Sequence, residues 1–236
     1  MIKTWMTPWL LMAVPFLGAA LSLLLRTSLQ RMKTSALLTT VASMLVVIGT
    51  PWALGDTLAG VPFLCLLPLT AFLSLLGQPL HRDNTSAWTT TLVLLGLGLG
   101  ILTAQAPVHD VMLLILPGLL CILLYRYQSG ATPETWRGLS AYGLSMMSAA
   151  LALVLPTPAS TVALLVTCAT LLPLLPVHSG FIATLTGLPG NLPAFLVFLL
   201  PTVGFHTLLT LLPNLTVTTL HTVAILALAG ALYGSL

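Results

Sequence analysis

Four ionisable side chains lie inside or beside long apolar stretches, and each could take part in moving protons. His206 lies deep within one stretch, His178 follows another, and His109 and Asp110 are neighbours at the start of a third. An ionisable group at membrane depth costs free energy to bury, so it often marks an ion or proton pathway. The residues therefore suggest a proton path through His206, His178, Asp110 and His109.

The same residues also have ordinary structural interpretations. An acid in the first turn of a helix, as expected for Asp110, interacts favourably with the positive end of the helix dipole. A histidine within a membrane helix, such as His206, can simply bond a neighbouring helix. His178 also suits a helix end at the membrane surface. The sequence leaves both interpretations open.

Three prolines in apolar stretches are candidate helix breaks. Pro173 and Pro176 shortly precede His178, and Pro201 lies five residues before His206. A proline removes a backbone donor and clashes with the preceding turn, so it kinks or ends a helix. Irregular backbone at membrane depth must face protein or water. A broken helix beside a lone histidine is thus a possible ion path, and an ordinary helix end is the alternative.

The elements that carry these residues are expected to be membrane helices. Hydrophobic residues make up 58% of the 236 residues, charged residues 5%, and the mean hydropathy is +1.09. The apolar runs have the length of a bilayer crossing and lack the two-residue alternation of barrel strands. The sequence predicts an all-α polytopic membrane protein of about nine transmembrane helices, at residues 9–25, 35–54, 61–77, 88–104, 109–125, 138–155, 161–177, 192–212 and 218–235.

The basic residues predict the orientation of these helices. Six of the seven Lys and Arg residues fall in the connections that follow odd-numbered predicted helices. Because cytoplasmic loops carry the excess of positive charge, the N-terminus is predicted to lie outside. Trp9, Trp52, Trp88 and Trp136 fall near the ends of apolar runs, where interfacial aromatic residues are common. We expect an integral membrane protein, in the inner membrane of a bacterium.

Several kinds of site are not expected in this chain. Cys65, Cys121 and Cys168 lie in separate apolar runs without the paired spacing of a disulfide framework or metal site. Seven scattered basic residues make no patch for nucleic acid. No phosphate-loop, zinc-protease or nucleophile-elbow motif is present. The sequence therefore predicts no catalytic residue, metal or cofactor, and leaves it uncertain whether the chain belongs to an enzyme.

Three stretches and the helix order resemble a known family, the antiporter-like membrane subunits of respiratory complex I. That family is shared with cation/proton antiporters and energy-converting hydrogenases. Asp110–Tyr127 is similar to its fifth helix, and Leu171–His178 to the double-proline-histidine exit of its seventh helix. Residues 188–194, continuing to 205–213, look like the start and body of its eighth helix.

The resemblance implies a domain plan for the chain. Residues 1–236 would form a single transmembrane domain, corresponding to the first half of the antiporter-like fold. Residues 1–87 would be the leading helices, 88–212 the first inverted five-helix repeat, and 213–236 a terminal helix. The expected partners are other membrane subunits of a multisubunit complex, surrounded by the lipid bilayer.

The departures from the family pattern concern its charged relay. Met112 stands where the family has a glutamate, Leu171 where it has a lysine, and Pro201 near a second lysine. None of these three side chains can carry a proton. The resemblance thus implies a degenerate subunit of an NADH:quinone oxidoreductase-type, hydrogenase or antiporter complex, with a structural or assisting role in proton translocation.

Two alternatives stay open at the level of sequence. One is an active proton or cation path that uses His109, Asp110, His178 and His206. The other is a small membrane transporter or lipid-handling enzyme unrelated to complex I. The first requires a hydrated line through those side chains, and the second a substrate cavity at mid-membrane depth.

Overall fold

The computed structural model describes residues 2–54, 61–127, 132–172, 174 and 178–234, and these residues form helices without any strand. Among them, two short 3-10 helices, Arg82–Asn84 and Leu212–Asn214, lie between longer elements. The described residues form ten α-helices: α1 Ile2–Leu24, α2 Leu29–Leu54, α3 Val61–Leu76, α4 Thr85–Thr103, α5 Val108–Tyr127, α6 Pro133–Val154, α7 Ala159–Leu171, α8 Ser179–Gly187, α9 Leu192–Leu211 and α10 Val217–Gly234.

Within the described part of the chain, four helical stretches are long and apolar enough to cross a membrane: Leu29–Thr50, Thr85–Thr103, Val108–Tyr127 and Leu192–Asn214. At 1.5 Å per residue, such stretches span about 30 Å, which is the thickness of a bilayer's hydrocarbon core. Shorter apolar helices occupy Pro8–Leu24, Leu64–Leu76 and Ala159–Leu171. The chain is therefore a helical integral membrane protein, as its composition predicted.

The predicted seventh helix was too long at its C-terminal end. It was predicted to reach residue 177, but α7 ends at Leu171, and the backbone of Leu172 has φ −83° and ψ 18°. The residue before a proline is disfavoured in the α conformation, and Leu172 precedes Pro173. Pro173 and Pro176 themselves lie outside the described residues.

Helix α8 has no counterpart among the predicted helices. Its nine residues, SGFIATLTG, are too few to cross a membrane and include two glycines. Helix propensity alone does not favour such a segment, because glycine costs about 1 kcal/mol relative to alanine within a helix. Its stability must come from packing against other helices.

The chain divides into two compact units, and the first unit contains the residues up to His109 together with Pro189–Leu199. In this unit α1 packs on α2 and α4, and α3 packs on α2 and α4. Trp88 of α4 is completely buried with Met32 of α2 and Leu75 of α3. This indole thus fills the helix core, whereas Trp9 and Trp136 are exposed.

The second unit contains Asp110–Leu188 and Leu200–Leu236, and α6 packs there on α7 and α8. A Cβ atom built on Gly138 of α6 would lie 2.6 Å from the Cβ of Ala183 in α8. A Cβ built on Gly180 of α8 would lie 2.9 Å from the Cβ of Ala141 in α6. Because the earlier residue of one helix faces the later residue of the other, the two helices run antiparallel. Glycine at both positions permits this close approach.

Candidate functional site

The four candidates for a proton path lie in three separate places in the chain. His109 and Asp110 lie in the first turn of α5, His178 directly precedes α8, and His206 lies within α9. His109 is buried, at 6% exposure, and its backbone N–H donates to the carbonyl of Gln105 at 3.1 Å. Asp110, His178 and His206 are half-buried. His109 is the last residue of the N-terminal segment of the first unit, whereas Asp110, His178 and His206 belong to the second unit.

Helix α5 carries charges that suit its dipole. Asp110 is in its first turn and Arg126 in its last turn. Negative charge at the N-terminal end and positive charge at the C-terminal end of a helix are each favourable by a few tenths to about 1 kcal/mol. This placement is the one expected from the structural interpretation of Asp110, and it does not by itself indicate a proton pathway.

Helix α9 is continuous from Leu192 to Leu211, with Pro201 inside it and His206 five residues further on. The division between the two units falls between Leu199 and Leu200, directly before this proline. A proline within a helix leaves the carbonyl of the preceding turn without its usual donor. Pro201 thus lies inside a continuous helix and does not end it.

The three positions that carry charge in the resembling family are apolar and mostly packed. Met112 is 4% exposed, Leu171 is completely buried, and Pro201 is half-buried. A Cβ built on Gly204 of α9 would lie 3.1 Å from the Cβ of Leu171, so the end of α7 packs directly on α9. Met112 and Leu171 thus fill helix contacts. Among the described residues, no group of three or more His, Cys, Asp and Glu side chains could hold a metal ion.

A buried amide joins three helical segments of the first unit. Asn191, at the start of α9, is completely buried, and its Nδ2 donates to Thr91 Oγ1 at 2.7 Å and to Ser74 Oγ at 3.3 Å. Each hydroxyl donates its own proton to a carbonyl of its helix, Thr91 to Ala87 and Ser74 to Ala71. Both hydroxyls can therefore only accept from the amide, and this fixes the orientation of Asn191.

That orientation leaves the carbonyl oxygen of Asn191 buried without a hydrogen-bond partner among the described residues. The preceding Gly190 has φ +65°, a left-handed conformation that favours glycine. A Cβ at Gly190 would lie 3.1 Å from Asn84 Oδ1 and 3.2 Å from the Cβ of Ala87. The tight glycine turn therefore directs Asn191 into the helix core.

Lys33 of α2 holds the C-terminal end of α3. Its ammonium group donates to the carbonyl of Leu76 at 3.2 Å and to the carbonyl of Gln78. The last carbonyls of a helix lack intrahelical donors and carry the negative end of the dipole, so a cation there is stabilising. This charge has a structural contact within the first unit.

Hydroxyl groups make the corresponding contacts in the second unit. The hydroxyls of Tyr142 and Thr184 lie 2.8 Å apart and join α6 to α8, and both residues are completely buried. The hydroxyls of Ser148 and Thr167 lie 2.8 Å apart and join α6 to α7. Such interhelical bonds contribute about 0.6 kcal/mol each on average in a membrane protein. These groups hold helices together and are uncharged at neutral pH.

Sequence reasoning that looks for ionisable groups does not find these contacts. Asn191, Thr91 and Lys33 were not among the predicted site residues. A searchable signal was present at Asn191, because an amide side chain directly after a glycine turn within an apolar stretch needs internal partners. The pairing of hydroxyls across helices has no such local signal, because Ser and Thr can equally bond the preceding turn of their own helix.

Comparison with known proteins finds no relative for this chain. No protein-family model matches its sequence, and no match is found among the curated proteins or the solved structures. The functional argument therefore depends on the chain's own residues.

Proposed function

We propose that this chain is a structural subunit of a proton-translocating membrane complex, a degenerate antiporter-like subunit without a proton relay of its own. The parent complex would be of the NADH:quinone oxidoreductase type or a related hydrogenase or antiporter complex. The chain would fill a position in a row of membrane subunits and contact them laterally.

The observation that carries this proposal is the packing of Leu171. It stands where the resembling family has a lysine, and it is completely buried against α9 at Gly204. A lysine at this position would place an ammonium group in an apolar contact between helices. The buried Met112 offers no carboxylate to accompany it. Both side chains are used in packing between helices. This supports a structural role for the chain in preference to a role in passing protons.

The finer topology belongs to the same proposal. We infer nine crossings with the N-terminus outside, in a bacterial inner membrane, because the basic residues fall on alternate connections. Apolar side chains such as Leu17, Val154 and Val162 are exposed, which suits contact with lipid or with neighbouring membrane subunits. Redox cofactors would belong to those partners.

Co-purification from native membranes tests the proposed assembly. The tagged chain is extracted in a mild detergent and separated on a native gel, and the co-migrating subunits are identified by mass spectrometry. The proposal predicts several other polytopic membrane subunits in one complex. A harsh detergent that dissociates membrane complexes serves as the control. Recovery of this chain alone under the mild condition would contradict a role as a subunit.

A second candidate function is an active proton path, which is favoured by His206. This imidazole is half-buried in α9, a helix otherwise made of apolar residues, hydroxyls, prolines and one glycine. Burial of a histidine at such a depth has a free-energy cost that a functional role would explain. Proton-flux measurements on histidine variants separate this function from the structural one.

A further inference from the structure

A groove of about 770 Å³ runs between α1 and α2 within the first unit. Leu17 and Leu21 of α1 and Leu38 of α2 line it, and these side chains are 69%, 48% and 64% exposed. Gly18 lies at the bottom of the groove, where the side chain of Thr39 occupies the space that a Cβ would need. The deeper part of the groove is thus mostly apolar, with Thr39 at its base, and it opens to the surroundings of the membrane helices.

Polar residues are found at one end of this groove. Arg31 and Gln30, both exposed, line it at the start of α2. Ser35 lies one helical turn deeper than Arg31 and also lines the groove. Ser35 is only 7% exposed, and its hydroxyl has no hydrogen-bond partner within the described part of the chain. An exposed cation is therefore followed, one turn further in, by an unsatisfied hydroxyl.

The length of the groove matches one leaflet of a bilayer. On α2 the lining extends from Arg31 to Ala42, eleven residues further on. At 1.5 Å per residue this is about 16 Å, and half of a 30 Å hydrocarbon core is about 15 Å. Arg31 is the third residue of the apolar stretch Leu29–Thr50. This position places the guanidinium at the level of lipid headgroups and the rest of the groove among acyl chains.

We propose that this groove binds an anionic phospholipid, with the phosphodiester on Arg31 and one acyl chain lying along the apolar walls towards Ala42. A guanidinium binds a phosphate through two parallel hydrogen bonds, so its charge and shape both suit this headgroup. The nearby Lys33 already bonds the carbonyls at the end of α3. Arg31 is therefore the basic residue of the groove available for the phosphate. Ser35 belongs to the lining one turn deeper than Arg31, at the depth of the lipid's ester groups.

Native mass spectrometry of the full chain tests this site with defined lipids. The protein in detergent is offered equal amounts of phosphatidylglycerol and phosphatidylcholine with the same acyl chains. We expect preferential retention of phosphatidylglycerol, and we expect Arg31→Gln to lower it about fivefold, since one basic residue at a membrane surface contributes on the order of 1 kcal/mol. Arg26→Gln is the matched control, because this exposed arginine lies in the connection just before α2 but does not line the groove.

The acyl half of the site has its own test. Ala42→Phe fills the far end of the groove, so we expect weaker retention of long-chain phosphatidylglycerol and unchanged retention of a short-chain form. We expect that neither inorganic phosphate nor glycerol phosphate displaces the bound lipid, at concentrations that leave the detergent micelle intact. Displacement of the lipid by either small anion would instead indicate a headgroup site alone and overturn the acyl assignment.

Three results would overturn the lipid proposal. The first is equal retention of phosphatidylglycerol and phosphatidylcholine. The second is an equal effect of Arg31→Gln and Arg26→Gln on that retention. The third is a purified protein without bound lipid in which a second polypeptide covers the groove. None of these results depends on whether the chain belongs to a proton-translocating complex. The lipid site and the proposed function can therefore fail separately.

Discussion

Substituting Gly138 by alanine tests how the unpredicted helix α8 is held. A new Cβ at this position would lie 2.6 Å from the Cβ of Ala183. Carbon atoms prefer a separation of about 3.5–4.0 Å, so α6 and α8 would have to separate locally by about 1 Å. The methyl group of alanine has no rotamer by which it could move aside. The adjustment therefore falls on the two backbones.

The magnitude follows from two opposing effects. Overpacking a close contact costs about 1–3 kcal/mol. Replacing glycine by alanine within a helix gains about 0.5–1 kcal/mol. Gly138→Ala is thus expected to lower the free energy of unfolding by up to about 2 kcal/mol.

Gly143→Ala is the matched control for this substitution. It lies on the same helix, and a Cβ built there meets nothing within 4 Å. Alanine at this position should raise stability by about 0.5–1 kcal/mol. Since the helix-propensity gain is common to both variants, the difference between them isolates the packing cost at Gly138, where a Cβ would also lie 3.2 Å from Leu124 Cδ1.

A double-mutant cycle completes the experiment. Ala183→Gly removes the methyl group that opposes the new Cβ, so Gly138→Ala combined with Ala183→Gly should recover stability, with a coupling energy of about 1–3 kcal/mol. Unfolding in detergent, followed by circular dichroism, measures the stability of the wild type, the two single variants and the double variant. Equal stability of Gly138→Ala and Gly143→Ala, or strictly additive effects in the cycle, would refute the close packing of α6 on α8.

Three further predictions concern other helix contacts. Thr91→Val removes the nearer of the two acceptors of Asn191 and should cost about 1 kcal/mol in the free energy of unfolding in detergent. Thr70→Val should cost less, because the Thr70 hydroxyl bonds carbonyls of its own helix. Lys33→Met removes the cation from the end of α3 and should lower stability by about 1 kcal/mol, and an unchanged denaturation midpoint would contradict this. Leu171→Lys should lower the folded yield in membranes by the equivalent of about 2.5–3.5 kcal/mol, whereas Leu171→Met should fold almost normally; equal yields would show that this position tolerates charge.

The helical membrane class could be predicted from composition, because long runs without charge leave a chain few other stable structures in a bilayer. The cores of α4, α5 and α9 followed directly from such runs. Helix α8 could not be predicted in this way. It is short, it contains Gly180, and its stability depends on a partner helix that is distant in sequence. Local patterns record hydropathy, but they do not record which helix supplies the matching surface.

The candidate site could be predicted only where a residue's role depends on its neighbours in the sequence. The placement of Asp110 in the first turn of α5 followed from the residues around it. The burial of Trp88 did not, because an indole near the end of an apolar run suits the interface and the core equally well by sequence. The bonds from Asn191 to Thr91 and Ser74 join residues about 100 positions apart. Only the folded arrangement of three helices brings them together.

Proton translocation by the native complex, with His206→Ala and His178→Ala combined, tests the central claim most directly. The complex is purified with the wild-type or the variant chain and reconstituted into vesicles, and acidification is followed with a pH-sensitive dye. Native-gel analysis confirms that both forms assemble. The proposed structural role predicts equal proton translocation by the two assemblies. Loss of translocation in the variant, with assembly intact, would contradict it and show that protons pass through this chain.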